Sequence, residues 1–297
     1  MVDLNDIKDI YPFKENYFIL KEGYKYHYLD EGKGEAILML HGNPSWSFLF
    51  RNLIIGLRHN YRVIAPDHIG FGLSDKPYDY PYRLETHIDN LDDFIEYLKL
   101  EKFSLLVHDW GGPIGFGYAE RHPEKIKNII ISNTAAFTFD WIPFRLKIAR
   151  LPFLGRFLIE KLNLFAKFAT FMTTTKPMKK NIKEAYIFPF LKESSRKGVS
   201  SFVKDIPMWP EEQSYELLVQ IEHGLWIFRE RPICIIWGMK DWCFKRRLLK
   251  RWLEYYPEAE VHKIKNAGHF LYEDEPEKIL NIVSDFLKRN NSYEKVR

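Results

Sequence analysis

The chain has little of what marks secreted and membrane-spanning proteins. Only two of its 297 residues are cysteine, Cys234 and Cys243, so no disulfide framework is expected. The acidic N-terminus lacks the charged and then apolar pattern of a secretion signal, and no apolar run approaches the roughly 20 residues that a membrane span requires. We therefore expect a cytoplasmic location, where thiols stay reduced.

Cofactor motifs are also missing from the sequence. No zinc-ligand spacing, Walker loop or nucleic-acid-binding module is present. Gly70-Phe71-Gly72 resembles the start of a dinucleotide fingerprint, but the third glycine of that motif is absent, which favours a structural loop. We therefore expect no metal, no cofactor and no nucleic-acid partner.

Acidic residues are scarce in one segment of an otherwise balanced chain. Residues 140–205 contain 14 Lys or Arg and 5 Asp or Glu, a net charge of +9, whereas the whole chain carries +4, which leaves −5 for the remainder. A basic segment of this kind favours an anionic substrate, an acidic protein partner or a membrane surface. Solvated lysines on amphipathic helices are the alternative explanation.

Apolar runs of strand length alternate with helical patterns over most of the chain. Eight runs are predicted to be strands: residues 16–20, 24–29, 36–40, 61–65, 103–107, 126–131, 232–237 and 260–264. This alternation predicts an α/β fold with a mostly parallel sheet covered on both faces. Residues 137–221 contain no strand-like run, many aromatic residues and several prolines. They are predicted to form a helical cap inserted into a core made of residues 1–136 and 222–297.

The most informative motif joins a predicted strand to a glycine-rich helix start. It covers residues 105–117, Leu-Leu-Val-His-Asp-Trp-Gly-Gly-Pro-Ile-Gly-Phe-Gly. A strand that turns sharply into a helix lifts one side chain, here Asp109, above the sheet; this is the nucleophile elbow of the α/β-hydrolase fold, which usually carries serine. A carboxylate instead displaces leaving groups from sp³ carbon and forms an alkyl-enzyme ester. A simple helix-capping role is the alternative for Asp109.

Two further residues follow predicted strands at the same edge of the sheet. Asp241 comes after the strand at 232–237, and His269 follows the last strand. The order nucleophile, acid, histidine is expected for this fold. His269 would activate water or carry a proton, and Asp241 would orient it; a surface histidine and a turn residue are the alternatives. Some relatives of this fold place the acid after the strand that precedes the cap, where this chain has Asn133. Asparagine cannot supply a negative charge, so Asp241 takes the role.

Donors for a departing anion follow the third predicted strand and the elbow. The backbone of His41-Gly-Asn-Pro44, with the N–H of Trp110, suits an oxyanion hole. The Asn43 amide and the Trp110 indole are N–H donors for a halide or a carboxylate, and core packing is the alternative for Trp110. His108 is predicted to be structural, because strand alternation directs it away from Asp109.

These motifs resemble the haloalkane dehalogenase family of α/β-hydrolases over nearly the whole chain. The similar segments are His41-Gly-Asn-Pro44, Pro66-Asp-His-Ile-Gly-Phe-Gly-Leu-Ser-Asp75, His108-Asp-Trp-Gly111 and Gly268-His269. The resemblance implies an eight-stranded α/β-hydrolase sheet with Asp109 as nucleophile, His269 as base and Asp241 as acid. It also implies that Asn43 and Trp110 hold the leaving anion.

Segments outside those motifs are similar to the β-lactone decarboxylase family of bacterial long-chain olefin biosynthesis. They are Asn133-Thr-Ala-Ala-Phe137, Phe202-Val-Lys-Asp-Ile-Pro207 and Trp237-Gly-Met-Lys-Asp-Trp-Cys-Phe244. This resemblance implies conversion of cis-3,4-dialkyl β-lactones to cis-alkenes and CO₂. Asp109 would attack the ring carbon of the alkyl–oxygen bond, and Asn43 and Trp110 would hold the substrate's own carboxylate as it leaves.

The predicted cap is rich in large apolar side chains, which suit a hydrophobic small-molecule substrate with two long alkyl chains, although most of them are expected to be ordinary core. They are Phe137, Phe139, Trp141, Phe144, Phe153, Phe157, Phe165, Phe168, Phe171, Phe188, Phe190, Phe202, Met208 and Trp209.

Three other functions stay open at this point. Haloalkane dehalogenation is the second interpretation, because the same five residues serve it. Epoxide hydrolysis would need acids in the cap, for which Tyr186 and Tyr215 are candidates. A non-catalytic ligand-binding fold is the last, but a receptor has no need of the set Asp109, Asp241 and His269.

Overall fold

The computed structural model describes residues 5–294. The first four residues, which belong to the N-terminus that lacks a secretion-signal pattern, lie outside the described residues. No helix within residues 5–294 is both long and apolar enough to cross a bilayer.

Eight strands form one sheet. They are β1 (Asn16–Ile19), β2 (Lys25–Glu31), β3 (Ala36–Leu40), β4 (Arg62–Pro66), β5 (Phe103–His108), β6 (Ile126–Ser132), β7 (Ile233–Gly238) and β8 (Glu260–Ile264). Their order across the sheet is β1-β2-β4-β3-β5-β6-β7-β8. β2 pairs antiparallel with β1 and β4, and all the other pairs are parallel. The predicted mostly parallel eight-stranded sheet is confirmed, with each strand end within two residues of its predicted position.

Twelve α-helices surround the sheet within residues 5–294. They are α1 (Arg51–Leu57), α2 (Leu84–Tyr97), α3 (Gly111–Arg121), α4 (Phe144–Arg150), α5 (Pro152–Arg156), α6 (Leu164–Met172), α7 (Lys180–Ile187), α8 (Lys197–Lys204), α9 (Tyr215–Gly224), α10 (Arg246–Tyr255), α11 (Leu271–Asp274) and α12 (Pro276–Glu294). The sequence predicts that α1 begins at residue 45. It begins later, because Ser47–Phe50 forms a 3₁₀ turn whose first N–H donates to the buried carboxylate of Asp67 at 2.7 Å.

β5 lies inside the sheet, between β3 and β6, and every one of its residues is buried. Leu105 and Val107 pack in one apolar layer and Leu106 in the other, which explains a continuous apolar run rather than an alternating one. The helix that follows approaches the sheet closely. A Cβ on Gly111 would lie 2.1 Å from the carbonyl oxygen of Leu40, so only glycine allows the elbow to contact β3.

The segment between β6 and β7 contains helices and loops but no strand within the described residues. It contains α4 to α9, a π-helical turn at Phe157–Lys161 and several 3₁₀ turns, and we call these elements the inserted helices. The cap boundaries at residues 137 and 221 stay a prediction.

The large apolar side chains predicted for the cap occupy three environments. Those buried in the core include Phe137, Phe190, Phe202 and Met208. Those lining the two cavities beside Asp109 are Phe139, Trp141, Phe165 and Phe168. Those exposed to solvent are Phe144, Phe153, Phe157, Phe168, Phe171 and Trp209. Most of these side chains therefore do not line the two cavities beside Asp109. Six of them are exposed, although large apolar side chains are usually buried.

Candidate active site

The elbow holds Asp109 at the carboxyl end of β5 in a strained conformation. Its φ of 51° lies in the left-handed region, which costs a residue other than glycine about 1–3 kcal/mol. Neighbouring groups fix it there. The Asp109 N–H donates to the carbonyl oxygen of Asn133 at 3.2 Å, and the Thr134 hydroxyl donates to the Asp109 carbonyl oxygen. The side chain is therefore held above the sheet.

The loop after β3 approaches the Asp109 carboxylate closely. The backbone N–H of Asn43 donates to Asp109 Oδ1 at 2.7 Å. This approach needs glycine at position 42, because a Cβ there would lie 2.1 Å from the same oxygen. The backbone N–H of Trp110 also stabilises the carboxylate. The two N–H groups predicted to form an oxyanion hole thus interact with the carboxylate of the predicted nucleophile.

His269 lies between two carboxylates. It follows β8, and Asp241 follows β7. Its Nδ1 is 2.8 Å from Asp241 Oδ2, and its Nε2 is 3.5 Å from Asp109 Oδ2. All three side chains are buried. The structure therefore brings the three predicted catalytic side chains together, with one imidazole nitrogen facing each carboxylate.

Asn133 orients the predicted acid. Its Nδ2 donates to Asp241 Oδ2 at 2.8 Å, and its Oδ1 accepts the N–H of Gly238 at 2.7 Å. The other oxygen, Asp241 Oδ1, accepts the backbone N–H groups of Cys243 and Phe244 at 2.7 and 3.0 Å. With both oxygens bonded, Asp241 can turn only one lone pair to His269. Asn133 therefore binds the predicted acid, Asp241, and does not take its place.

Burial and charge oppose each other in the pKa values of this site. Burial raises the pKa of Asp109, although His269 and the N–H groups of Asn43 and Trp110 act against that effect. Burial alone would lower the pKa of His269, but the carboxylate of Asp241 and, less strongly, that of Asp109 outweigh it, so this pKa is raised. The pKa values of both Asp109 and His269 are therefore raised above their usual values.

Two rings fix the position of the His269 imidazole. The Phe244 ring stacks on it with a centroid distance of 5.4 Å. On the other side, His108 Nε2 lies 3.0 Å from the His269 carbonyl oxygen, and the two imidazole rings are 4.5 Å apart. Burial and the neighbouring His269 hold the pKa of His108 well below its usual range. His108 is therefore a neutral N–H donor to the loop after β8, in agreement with its predicted structural role.

Asn43 and Trp110 both lie at the cavity beside Asp109. One amide N–H of the buried Asn43 side chain donates to the carbonyl oxygen of Val199 in α8 at 3.1 Å, which leaves its second N–H for a ligand. The Trp110 ring is half-buried and packs edge-on against Phe202, with a centroid distance of 4.8 Å. Trp110 therefore combines packing with a place in the cavity wall.

Two cavities meet at the Asp109 carboxylate. The larger, of about 470 Å³, lies against α4 and α6. The smaller, of about 80 Å³, lies against Pro113 of α3 and Leu218 of α9. The residues that line both are Asp109, Trp110, Leu146, Ile206 and Cys243. A group bonded at Asp109 therefore adjoins a large apolar cavity and a second, smaller one that accepts a short apolar substituent.

Several contributors to this site are not predicted from the sequence. Cys243 lines both cavities, and burial raises the pKa of its thiol well above the usual range, so it stays neutral. Its only signal is its position two residues after Asp241. Val199 fixes Asn43 through its backbone, and no sequence pattern marks a backbone carbonyl.

The family follows from the fold, the elbow and a direct comparison. Residues 35–276 match the model of the family described as alpha/beta hydrolase fold. The chain belongs to this family and is an enzyme of the α/β-hydrolase superfamily.

The chain is similar to enzymes of two kinds. It is 41% identical over 283 residues to the cis-3-alkyl-4-alkyloxetan-2-one decarboxylase of Shewanella oneidensis, covering 93% of this chain and 89% of that protein. It is 29% identical over 282 residues to haloalkane dehalogenase 2 of Mycobacterium tuberculosis, covering 94% and 96%. The crystal structure of a haloalkane dehalogenase from Bradyrhizobium elkani superposes with a TM-score of 0.87 at 23% identity, covering 95% and 99%. The last comparison shows a shared fold.

The raised pKa of His269 predicts how its imidazole titrates. In the wild type we expect an apparent pKa above 6.5, and in Asp241→Asn a lower value, because the carboxylate that stabilises the imidazolium is gone. NMR titration of the imidazole resonances measures both, with partly exposed His262 as an internal control. A His269 pKa below 6.5, or one unchanged by Asp241→Asn, would contradict the described electrostatics.

Proposed function

We propose that this enzyme is a β-lactone decarboxylase that converts cis-3,4-dialkyl β-lactones to cis-alkenes and CO₂, with Asp109 as the nucleophile. The observation that supports it most is the pair of cavities that share Asp109 and Trp110. A β-lactone carries its alkyl chains on adjacent ring carbons, so the two chains need apolar space on two sides of the reacting ring. A simple haloalkane carries one chain and needs only one such space.

In the proposed first step, an Asp109 carboxylate oxygen attacks ring carbon 4 of the lactone. The new bond joins that oxygen to carbon 4, the alkyl–oxygen bond of the ring breaks, and the electron pair passes to the substrate carboxylate. Asn43 and Trp110 would donate N–H groups to this anion, and the neighbouring carboxylates, which raise the pKa of His269 against the effect of burial, favour a protonated imidazole beside it. Charge that develops in an apolar, water-poor cavity is stabilised strongly by such fixed donors.

In the second step, the bond between carbon 3 and the carboxylate breaks and CO₂ leaves. The electron pair forms the carbon–carbon double bond and expels the Asp109 carboxylate, so no water and no net proton are consumed. Attack with inversion at carbon 4 places the Asp109 ester opposite the carboxylate. Elimination from that anti arrangement gives the cis-alkene from the cis-lactone.

The higher identity to a decarboxylase than to a dehalogenase also supports this choice. Haloalkane dehalogenation is the second candidate, and the position of His269 favours it. Hydrolysis of an alkyl ester needs a base that can direct water to the ester carbonyl, and His269 Nε2 is 3.5 Å from Asp109 Oδ2. In the lactone reaction the same imidazole would act as a cation.

The geometry offers no support for epoxide hydrolysis. Tyr186 is buried and donates its hydroxyl hydrogen bond to Glu273 at 2.6 Å. Neither Tyr186 nor Tyr215 lines either of the two cavities at Asp109. The acids that a departing alkoxide would need are therefore not at the nucleophile.

The proposal also covers the boundaries of the cap and the core and the cellular location of the protein. Residues 137–221 would form the cap that closes the two cavities over the core of residues 1–136 and 222–297. A cytoplasmic location is consistent with Cys234 and Cys243, which are both free thiols.

The reaction is tested by product analysis with Asp109→Asn. Gas chromatography after incubation with a synthetic cis-dialkyl β-lactone should detect the cis-alkene from the wild type. The rate should fall by at least about 10³-fold in Asp109→Asn, because the amide is nearly isosteric but is not a nucleophile.

A control variant, Asp30→Asn, removes a carboxylate that pairs with Arg62 away from the site and should keep full activity. Absence of alkene from folded wild type, with bromide released from bromoalkanes instead, would replace the proposal by dehalogenation. Full alkene formation by Asp109→Asn would remove Asp109 from the mechanism.

The two cavities predict separate control of the two alkyl chains. Ala135→Leu should fill part of the smaller cavity and Ala149→Phe part of the larger, since each alanine lines only one of them. Each variant should lower kcat/KM for long chains on one ring carbon by about tenfold or more, as pocket-filling changes typically do, while lactones with a methyl group there are spared. Both variants responding to the same ring carbon would contradict the assignment of one chain to each cavity.

A further inference from the structure

The outer face of the inserted helices is unusually apolar. Eight of the sixteen large apolar side chains that are exposed among the described residues fall within residues 144–171. They are Phe144, Leu151, Phe153, Leu154, Phe157, Leu162, Phe168 and Phe171. Exposed apolar residues are normal when scattered, but half of them within this short stretch make a concentrated surface, which we call the apolar face.

The centre of the apolar face is the junction where α4 ends and α5 begins. Leu151, Pro152, Phe153 and Leu154 are four consecutive exposed residues without a polar side chain. Phe153 is 91% exposed, so its ring contacts almost nothing within the protein. Exposing this ring to water is unfavourable, and no contact within the described residues offsets that cost. An exposed apolar cluster of this kind is typical of a surface that binds another apolar surface.

Positive charges surround the apolar face. The interval 141–172 contains six Lys or Arg residues and one acidic residue, Glu160, which is buried and bonded to Arg156 and Ser200. Lys147 and Lys167 are exposed and form no ion pair with a carboxylate among the described residues. Arg150, Arg156 and Lys161 form ion pairs, so Lys147 and Lys167 are the cations named here that stay available. Exposed apolar side chains with such cations near them in the chain match the interface of a bilayer with anionic headgroups.

The apolar face is continuous with the wall of the larger cavity. Phe168 of α6 lines that cavity and is also half exposed. Leu164, Phe165 and Ala169, on the adjoining side of the same helix, line the cavity as well. One helix therefore carries apolar side chains from the outer surface to the cavity that reaches Asp109.

We propose that the apolar face, residues 144–171, docks on the surface of a membrane that contains anionic lipid, with the side chains of Leu151, Phe153 and Leu154 inserted among the acyl chains. Docked in this way, the larger cavity takes its apolar substrate from the bilayer or delivers its product there. The proposal goes beyond the reaction itself and holds for either a lactone or a haloalkane substrate.

A lipid surface fits these features better than an acidic protein does. An acidic protein would pair with the cations but would leave the protruding Phe153 ring to find a matching pocket. A bilayer accepts apolar side chains of any shape and repays their insertion with burial of apolar area. The proposed contact is peripheral, through the apolar face alone.

The test is co-sedimentation of the full chain with sucrose-loaded vesicles. Vesicles of phosphatidylcholine and phosphatidylglycerol at a 7:3 ratio should bind the wild type at low salt, and phosphatidylcholine vesicles should bind it more weakly. The double variant Phe153→Ser/Leu154→Ser should lower the partition coefficient about tenfold or more, because it removes the inserted side chains. Lys147→Gln/Lys167→Gln should remove the preference for the anionic vesicles.

The matched control is Ile19→Ser/Ile227→Ser, which removes two side chains that are 53% and 52% exposed outside the apolar face and should bind like the wild type. All variants should retain the wild-type melting temperature and activity on a dispersed substrate, which separates docking from folding and catalysis. Wild type that stays in the supernatant with both vesicles, or a Phe153→Ser/Leu154→Ser protein that sediments normally, would overturn the proposal. A dimer in sedimentation velocity that this variant dissociates would instead assign the apolar face to a second copy.

Discussion

The arrangement of this protein depends on keeping one carboxylate charged in a buried turn. Asp109 lies in a left-handed conformation, and burial raises its pKa. The sheet and its loops offset both costs: the Asn43 N–H and His269 face the carboxylate, and Asn133 and Thr134 fix the backbone of the turn. Glycine at positions 42 and 111 lets two segments approach closely enough to do so.

A carboxylate held in this way determines which reactions suit the site. The Asp109 carboxylate and the His269 imidazole lie among largely apolar walls, where water competes weakly for a developing anion. A leaving group that carries its charge away as a halide or a carboxylate can be held by Asn43 and Trp110. The second cavity extends past Ala135 to α9. A substrate with a single chain would leave this cavity empty.

Local patterns predicted most of the framework, because apolar runs and strand–turn–helix motifs act over a few residues. The eight strands, the elbow at Asp109 and the encounter of Asp241 with His269 all follow from such patterns and from parallel strands sharing one edge. The division of the space at Asp109 into two cavities depends instead on how distant helices pack. Likewise, the number of phenylalanines cannot distinguish a core ring such as Phe202 from the exposed ring of Phe153. The burial of a helix face depends on which distant segments pack against it, and the local sequence does not show this.

The central claim is that Asp109 is expelled as an intact carboxylate and not freed by hydrolysis. The most direct measurement is turnover of a cis-dialkyl β-lactone in H₂¹⁸O, followed by mass spectrometry of the peptide that contains Asp109. Loss of CO₂ should release the alkene and leave both Asp109 oxygens unlabelled after many turnovers. Water attack on an Asp109 ester would instead place ¹⁸O in the Asp109 carboxylate and yield a hydroxy acid, and that result would contradict the decarboxylation mechanism.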